Sequence, residues 1–333
     1  MRWKRWVTLA VCVMGLLIWG GCQTSSSSAG PPLQVQTNRL LADVQTLARE
    51  RYRDEDLAEV RTYLSRQLTQ AGYTIERQTF ELQGVTGVNL VATRPGLEAT
   101  AGTLLVGAHY DSVQGSPGAD DNASAVAAAL EIARLFADYP TPATLKVVFF
   151  DQEERQPMGE GILGSSAFVL NEENVAGLKG AVILEMLGYT CETPGCQRYP
   201  EGLELEDRRD VGDFVGVIGN AQHPDLLTAF APQLRENFEP EQDAVQPVLP
   251  VITLPVPLAA TALLPDLFRS DHAPFWVKGI GAVMVTDTAD FRNPNYHRPT
   301  DTVESLDFEF LERVTQHVVL TVERLLGPSG LGT

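Results

Sequence analysis

Apolar residues recur every three to four positions across 38–50 and 54–71, which predicts two amphipathic helices. Asp54 is placed to cap the second, and Gly72 to stop it. Beyond Gly72 the runs shorten and turn aliphatic. Thr74–Leu82, Val88–Arg94, Thr103–Ala108, Leu145–Phe150, Ala181–Leu187, Phe214–Ile218 and Ala282–Thr286 read as strands. Helical spacing returns between them at 122–138, 164–171, 224–235 and 307–326. That alternation predicts an α/β domain around a mixed, largely buried sheet. The stretch 238–268, rich in Pro and aliphatic residues, is expected to be a long loop near the functional site. From Thr37 to about Gly327 no linker, repeat or shift of composition divides the chain, so residues 37–328 are expected to form one domain.

The N-terminus follows another pattern. Arg2, Lys4 and Arg5 precede an almost unbroken apolar run from Val7 to Ile18, and Gly20-Gly21-Cys22 closes it. This is the layout of a secretory signal, and the run is short for a membrane span. Its end resembles the lipobox of bacterial lipoproteins, with Trp19 where an aliphatic residue is usual. The expectation is a signal peptide over 1–22, lipidation at Cys22 and a Ser/Pro-rich tether over 23–36. The chain is then expected to be an exported bacterial lipoprotein, anchored to a membrane, with its folded domain outside the cytoplasm.

Composition adds two constraints. Hydrophobic residues make up 44% and charged residues 20%, which suits a folded domain rather than a disordered chain. The net charge is −18, and removing the three basic residues of the signal takes it to −21. So acidic a surface repels nucleic acid and anionic lipid headgroups, and no nucleic-acid partner is expected. With Cys12 in the signal and Cys22 at the lipid site, only Cys191 and Cys196 remain. They flank the turn-forming pair Pro194-Gly195, so in an oxidising compartment they are expected to form a disulfide.

Acids and histidines fall repeatedly at the ends of the predicted strands, where α/β sheets collect their ligand sites. Strand 103–108 runs into His109-Tyr110-Asp111, and Gly118-Ala119-Asp120-Asp121-Asn122 opens the next helix. Strand 145–150 leads to Asp151-Gln152-Glu153-Glu154, the strand from Ala181 reaches Glu185, and Asn295-Tyr296-His297 precedes the last helix. Taken singly, each has an ordinary explanation; Asp120-Asp121, for instance, would favour a helix N-terminus by charge alone. Together they supply what a two-zinc hydrolase needs: a bridging carboxylate, terminal ligands for each ion, and one further carboxylate to accept a proton from water.

The same motifs, in this order and spacing over roughly residues 85–306, resemble the di-zinc aminopeptidases of the bacterial leucyl aminopeptidase and aminopeptidase Y type, to which glutaminyl cyclases are related. The carriers are Gly107–Ser112, Pro117–Ser124, Phe149–Glu154 and Asn295–Thr302. The resemblance implies a three-layer α/β/α fold with a mixed, mostly parallel twisted sheet, and two zinc ions per chain. By position, His109 and Glu185 would bind one zinc, Glu154 and His297 the other, and Asp121 both. Glu153 would be the general base, and Asp111 would orient His109. Glu185 stands where the family often has Asp, and Arg155–Gly161 is a longer, Gly-rich insertion near the pocket.

His272, in Ser270-Asp271-His272-Ala273-Pro274-Phe275, also resembles a segment of the cyclases and is expected near the pocket. His223 and His317 are expected to be structural. The activity implied is hydrolysis of the N-terminal residue of peptides. A glutaminyl-peptide cyclotransferase with one zinc is the nearest alternative, and a non-catalytic binding lipoprotein is a second. A serine hydrolase is set aside, because no Gly-x-Ser-x-Gly elbow occurs.

Overall fold

Apolar side chains alternate in parity along the central strands, so the sheet needs cover on both faces. The computed structural model describes residues 33–155, 161–206, 208–231 and 249–327. Helices α1 (Thr37–Leu47) and α2 (Asp54–Gln70) precede strands β1 (Thr74–Leu82), β2 (Val85–Arg94) and β3 (Thr103–His109). Then come α3 (Ala125–Phe136), β4 (Thr144–Phe150), α4 (Leu163–Leu170), α5 (Glu172–Val175) and β5 (Leu178–Glu185). The chain continues through β6 (Val215–Asn220), α6 (Pro224–Phe230), β7 (Val251–Val256), α7 (Ala273–Val277), β8 (Ala282–Thr286) and α8 (Phe308–Leu326).

The eight strands form one sheet in the order β1-β2-β4-β3-β5-β8-β6-β7. Its centre, β4-β3-β5-β8, is parallel, as is β6 with β7. The β1-β2, β2-β4 and β8-β6 pairs are antiparallel. One face presents Leu104, Val106, Val147, Val182, Leu184, Val283 and Val285 to α1, α2, α3, α6 and α8. The other presents Leu105, Val148, Phe150, Ala181 and Ile183 to Phe168 of α4 and to Phe275 and Trp276 of α7. This is the three-layer, mostly parallel arrangement that the sequence implies.

Several boundaries differ from expectation, each for a local reason. Leu33 and Val35 are buried, and Gln316 bonds both the Leu33 carbonyl and the Val35 N–H, so the folded part begins inside the expected tether. Helix α3 starts at Ala125 rather than 122, because Asp121 and Asn122 have non-helical backbone. The stretch read as a loop over 238–268 contains β7, whose pattern Val-Ile-Thr-Leu-Pro-Val hides a strand behind its proline. Pro255 is tolerated because β7 is the edge strand, bonded on one side only. The signal, the tether up to Pro32, and Cys22 lie outside the described residues. No helix among the described residues is long and apolar enough to cross a membrane.

Candidate metal centre

Parallel β4, β3 and β5 lie side by side, so their carboxyl ends open on one edge of the sheet. His109 is the last residue of β3 and Glu185 the last of β5, while Glu153 and Glu154 follow β4 by three and four residues. Asp121 enters from the irregular turn before α3, and His297 from the loop between β8 and α8. All six sequence-predicted residues meet here.

Their geometry is that of two groups sharing one carboxylate. His109 Nε2 lies 3.4 Å from Asp121 Oδ1 and 3.3 Å from Glu185 Oε1. His297 Nε2 lies 3.2 Å from Asp121 Oδ2 and 3.1 Å from Glu154 Oε2. The two oxygens of Asp121 therefore face different histidines. Glu153 also belongs to the cluster: ligand atoms of His109, Glu153 and Glu185 lie within 4.8 Å of one another, as do those of His109, Asp121 and Glu154.

A surrounding set of bonds holds these groups in place. Asp111 Oδ1 lies 3.4 Å from His109 Nδ1 and accepts the Glu153 N–H at 3.1 Å, while its Oδ2 accepts the Glu154 N–H at 3.0 Å. Asp301 accepts the N–H groups of Asp120 and Asp121 at 2.9 and 3.1 Å. Ser270 Oγ donates to Glu185 Oε2 at 2.6 Å. The Asn122 side chain donates to the Leu184 carbonyl and accepts the Met186 N–H, tying the head of α3 to the end of β5. Gln152, Met186 and His297 take positive φ of 60°, 51° and 58°, a strained backbone concentrated at this site.

The electrostatics favour a cation. Burial, with the charges of Glu154 and Glu185 behind it, drives the Glu153 carboxyl well above its ordinary value against the pull of His109. Burial and the charge of Asp121 push Glu154 up to about 8. Burial opposes protonation of both histidines, but the facing carboxylates overcome it, lifting His109 well above its ordinary value and His297 to about 10. Burial alone would raise Asp121, yet the two histidines that face it hold it far below the carboxylate range. Protons here offset mutual repulsion that a divalent ion would relieve. His109 Nδ1, Asp121 Oδ2 and His297 Nε2 are buried without a hydrogen bond, and imidazole with carboxylate is a donor set suited to zinc.

Sequence reasoning gave no role to Asp301, Ser270 or Asp271, although all three lie in the motifs around His297 and His272. Asp271 is wholly buried and pushed up to about 7, by burial first and then by Glu185 and Asp111 against the opposing charge of His109. His272 is instead a packed residue. Its ring meets Trp276 at 4.5 Å and its Nε2 bonds the Leu267 carbonyl, and the residue of this motif that touches the cluster is Ser270, through Glu185. His317 Nε2 bonds the Phe230 carbonyl, and His223 borders Gly281, as structural residues do.

A cavity of about 290 Å³ opens from the cluster. Strand register explains its wall. Glu185 pairs with Thr286, Thr286 with Gly216, and Gly216 with Ile252. The next row on that face holds Met284, Ile218 and Leu254. The acidic centre thus passes along one sheet row into an apolar floor. Tyr199, Pro200, Leu203 and Leu205 form the outer wall. They belong to a loop whose base is fixed by the expected Cys191–Cys196 disulfide, 2.06 Å between sulfurs, and by a bridge from Cys191 to Gly212.

The family model for peptidase family M28 matches residues 89–225 and 218–322. The chain belongs to peptidase family M28. This bears out the resemblance read from the motifs, and with it the expectation of a metallo-aminopeptidase, a zinc enzyme of the hydrolase class. The chain is 31% identical over 265 residues to the uncharacterized protein YfbL of Escherichia coli K12, covering 77% of each. It is 28% identical over 274 residues to the probable lipoprotein aminopeptidase LpqL of Mycobacterium tuberculosis, covering 79% of this chain and 51% of LpqL. Among solved structures, an aminopeptidase from Aneurinibacillus sp. strain AM-1 superposes with a TM-score of 0.64 at 18% identity, covering 90% and 96% of the two chains. A glutaminyl cyclase of Fimbriiglobus ruber shares the fold, with a TM-score of 0.61 at 17% identity and 87% and 95% coverage.

Proposed function

We propose that this M28 enzyme removes the N-terminal residue of peptides, using two zinc ions per chain. His109 and Glu185 would hold one ion and Glu154 and His297 the other, with Asp121 between them. When bound, zinc supplies Lewis acidity that makes water a nucleophile near neutral pH and polarises a carbonyl. Glu153 accepts the proton of that water and returns it to the leaving amine; it is buried beside the ligand atoms of His109 and Glu185, within reach of a water held there. Asp111 fixes the backbone of Glu153 and so aims the base. The observation that carries this reading is Asp121, with each oxygen within 3.2–3.4 Å of a different histidine.

The apolar floor of Gly216, Ile218, Ile252, Leu254 and Met284 fits a large hydrophobic side chain on the residue removed. The N-terminal pattern, together with the likeness to LpqL, supports an exported lipoprotein held to a membrane at Cys22, acting outside the cytoplasm.

Metal content of protein starting after Cys22, purified without chelator, tests the reading together with hydrolysis of amino-acid amides. Close to two zincs with amide hydrolysis supports it. Close to one zinc, with cyclisation of N-terminal glutamine, replaces it with a cyclotransferase on the shared fold. A protein that binds no zinc and hydrolyses no amide is a binding lipoprotein.

A further inference from the structure

Arg51 lies between α1 and α2, far in sequence from every motif of the metal centre, and only 1% of it is exposed. Its guanidinium donates to carbonyls alone. Nε reaches Tyr110 O at 2.8 Å, and Nη1 reaches Leu47, Arg49 and Pro117 O at 2.6, 3.0 and 2.7 Å. Nη2 reaches Gly118 and Asp121 O at 3.0 and 3.3 Å, with Asp111 O at 3.5 Å. The backbone adds a reciprocal tie, Arg51 N–H to Ser112 Oγ at 3.0 Å and Ser112 N–H to Arg51 O at 3.1 Å.

These acceptors fall in two loops. Residues 110–112 follow His109 and carry Asp111, whereas 117–121 deliver Asp121. Asp301 and Asn122 anchor the far side of the second loop, and on the near side both loops close on one planar fork. The second is shaped for it. Gly118 has φ +61°, and a Cβ there would stand 2.2 Å from Asp121 O and 2.7 Å from Arg51 Nη2. A buried charge is costly unless its donors are all used, and a guanidinium is the side chain that can serve so many carbonyls at once.

We propose that Arg51 is a positioning residue of the metal centre, locking the loop that bears Asp121 against the loop after His109 so that the shared carboxylate meets both histidines. The inference rests on the two-zinc reading above. Lysine would keep the charge but lose the fork, so it separates geometry from electrostatics.

The test is zinc content and affinity, by competition with a chromophoric chelator, in the mature chain and its Arg51→Lys and Arg51→Met variants, each with far-UV circular dichroism and a melting curve. Arg134→Met is the control. It removes an ion pair between α3 and α1, with Asp43 at 2.5 Å, that touches no loop of the centre. Both Arg51 variants are expected to lose about tenfold or more in zinc affinity, the range seen when support behind metal ligands is removed. Arg134→Met is expected to melt lower at unchanged zinc affinity. The proposal is overturned if Arg51→Lys binds zinc like the parent, or if Arg134→Met loses zinc as strongly. Should both Arg51 variants fail to fold, Ser112→Ala takes their place. It removes the acceptor of the Arg51 N–H, along with longer bonds from the Ser112 hydroxyl to the Ser116 and Val113 carbonyls, and is expected to weaken zinc in the same direction; unchanged affinity there also overturns the proposal. A parent protein that binds no zinc overturns the two-zinc reading and this proposal with it, whereas normal parent binding with unaffected variants overturns the proposal alone.

Discussion

Asp111 and Glu153 are joined through the backbone: Asp111 Oδ1 accepts the Glu153 N–H at 3.1 Å while the same oxygen faces His109 Nδ1 at 3.4 Å. One buried carboxylate therefore faces the ring of a proposed ligand and fixes the backbone of the proposed base. Asp111→Ala should lower zinc affinity ten- to a hundredfold, roughly the effect of removing such supports elsewhere, and should lower kcat as well. Equilibrium zinc competition and steady-state kinetics on one preparation check it. Loss of kcat at unchanged zinc affinity would confine Asp111 to the base.

Glu153 lies among the ligand atoms, within reach of His109 and Glu185, so its role needs separating from theirs. As general base it should be dispensable for metal: Glu153→Ala keeps its zinc and loses about 10²- to 10⁴-fold in kcat. Glu154→Gln, in contrast, should lose zinc. Metal analysis of the two purified variants decides the matter, and a Glu153→Ala protein depleted of zinc would make Glu153 a ligand.

The strand ends were legible from sequence because a parallel sheet buried on both faces writes its strands as apolar runs, and the chemistry stands where each run breaks. His109, Glu153 and Glu185 were found that way. Arg51 was not, since an arginine between two helices carries no periodic signal and its partners are carbonyls, which every residue has. Strand β7 was hidden by Pro255, which weighs against a strand unless the strand is known to lie at an edge. His272 was drawn towards the pocket by its motif, but the side chain that bonds the centre is Ser270, two positions earlier. Along so short a turn, adjacent residues point in different directions and the motif alone does not say which one faces in.

His272 gives a pH dependence with a definite sign. Burial lowers its pKa to about 4, against a slight raising effect of the Leu267 carbonyl, while in the unfolded chain it titrates near its ordinary 6.5. The folded state therefore refuses a proton that the unfolded state accepts. Stability is unaffected by this group above pH 6.5, declines as pH falls from 6.5 towards 4, and levels off below. The loss is on the order of 3 kcal/mol. Urea unfolding of the parent and His272→Gln across that range checks it: the difference in their unfolding free energies should shift with pH in favour of the variant as pH falls. A constant difference would mean that His272 titrates normally in the fold.

Gly216 sits in the row that leads from Glu185 into the apolar floor, flanked by Thr286 and Ile252. The protein atoms that a Cβ there would meet, from Thr286 and Thr288, begin at 3.5 Å, an ordinary contact distance. Unlike Gly118, this glycine is not required by its own backbone, and the space it leaves belongs to the cavity. Gly216→Val should fold, since a β-branched residue suits a strand, and should fill room that a large substrate side chain needs. The expected result is a fall of about tenfold or more in kcat/KM for leucine and phenylalanine amides relative to alanine amide, a discrimination of the size that one or two methylenes produce in an apolar pocket. The alanine rate serves as the internal control for folding and metal loading. If all three amides slow equally, the substrate side chain lies elsewhere, and the loop of Tyr199, Pro200, Leu203 and Leu205 becomes the wall to mutate next.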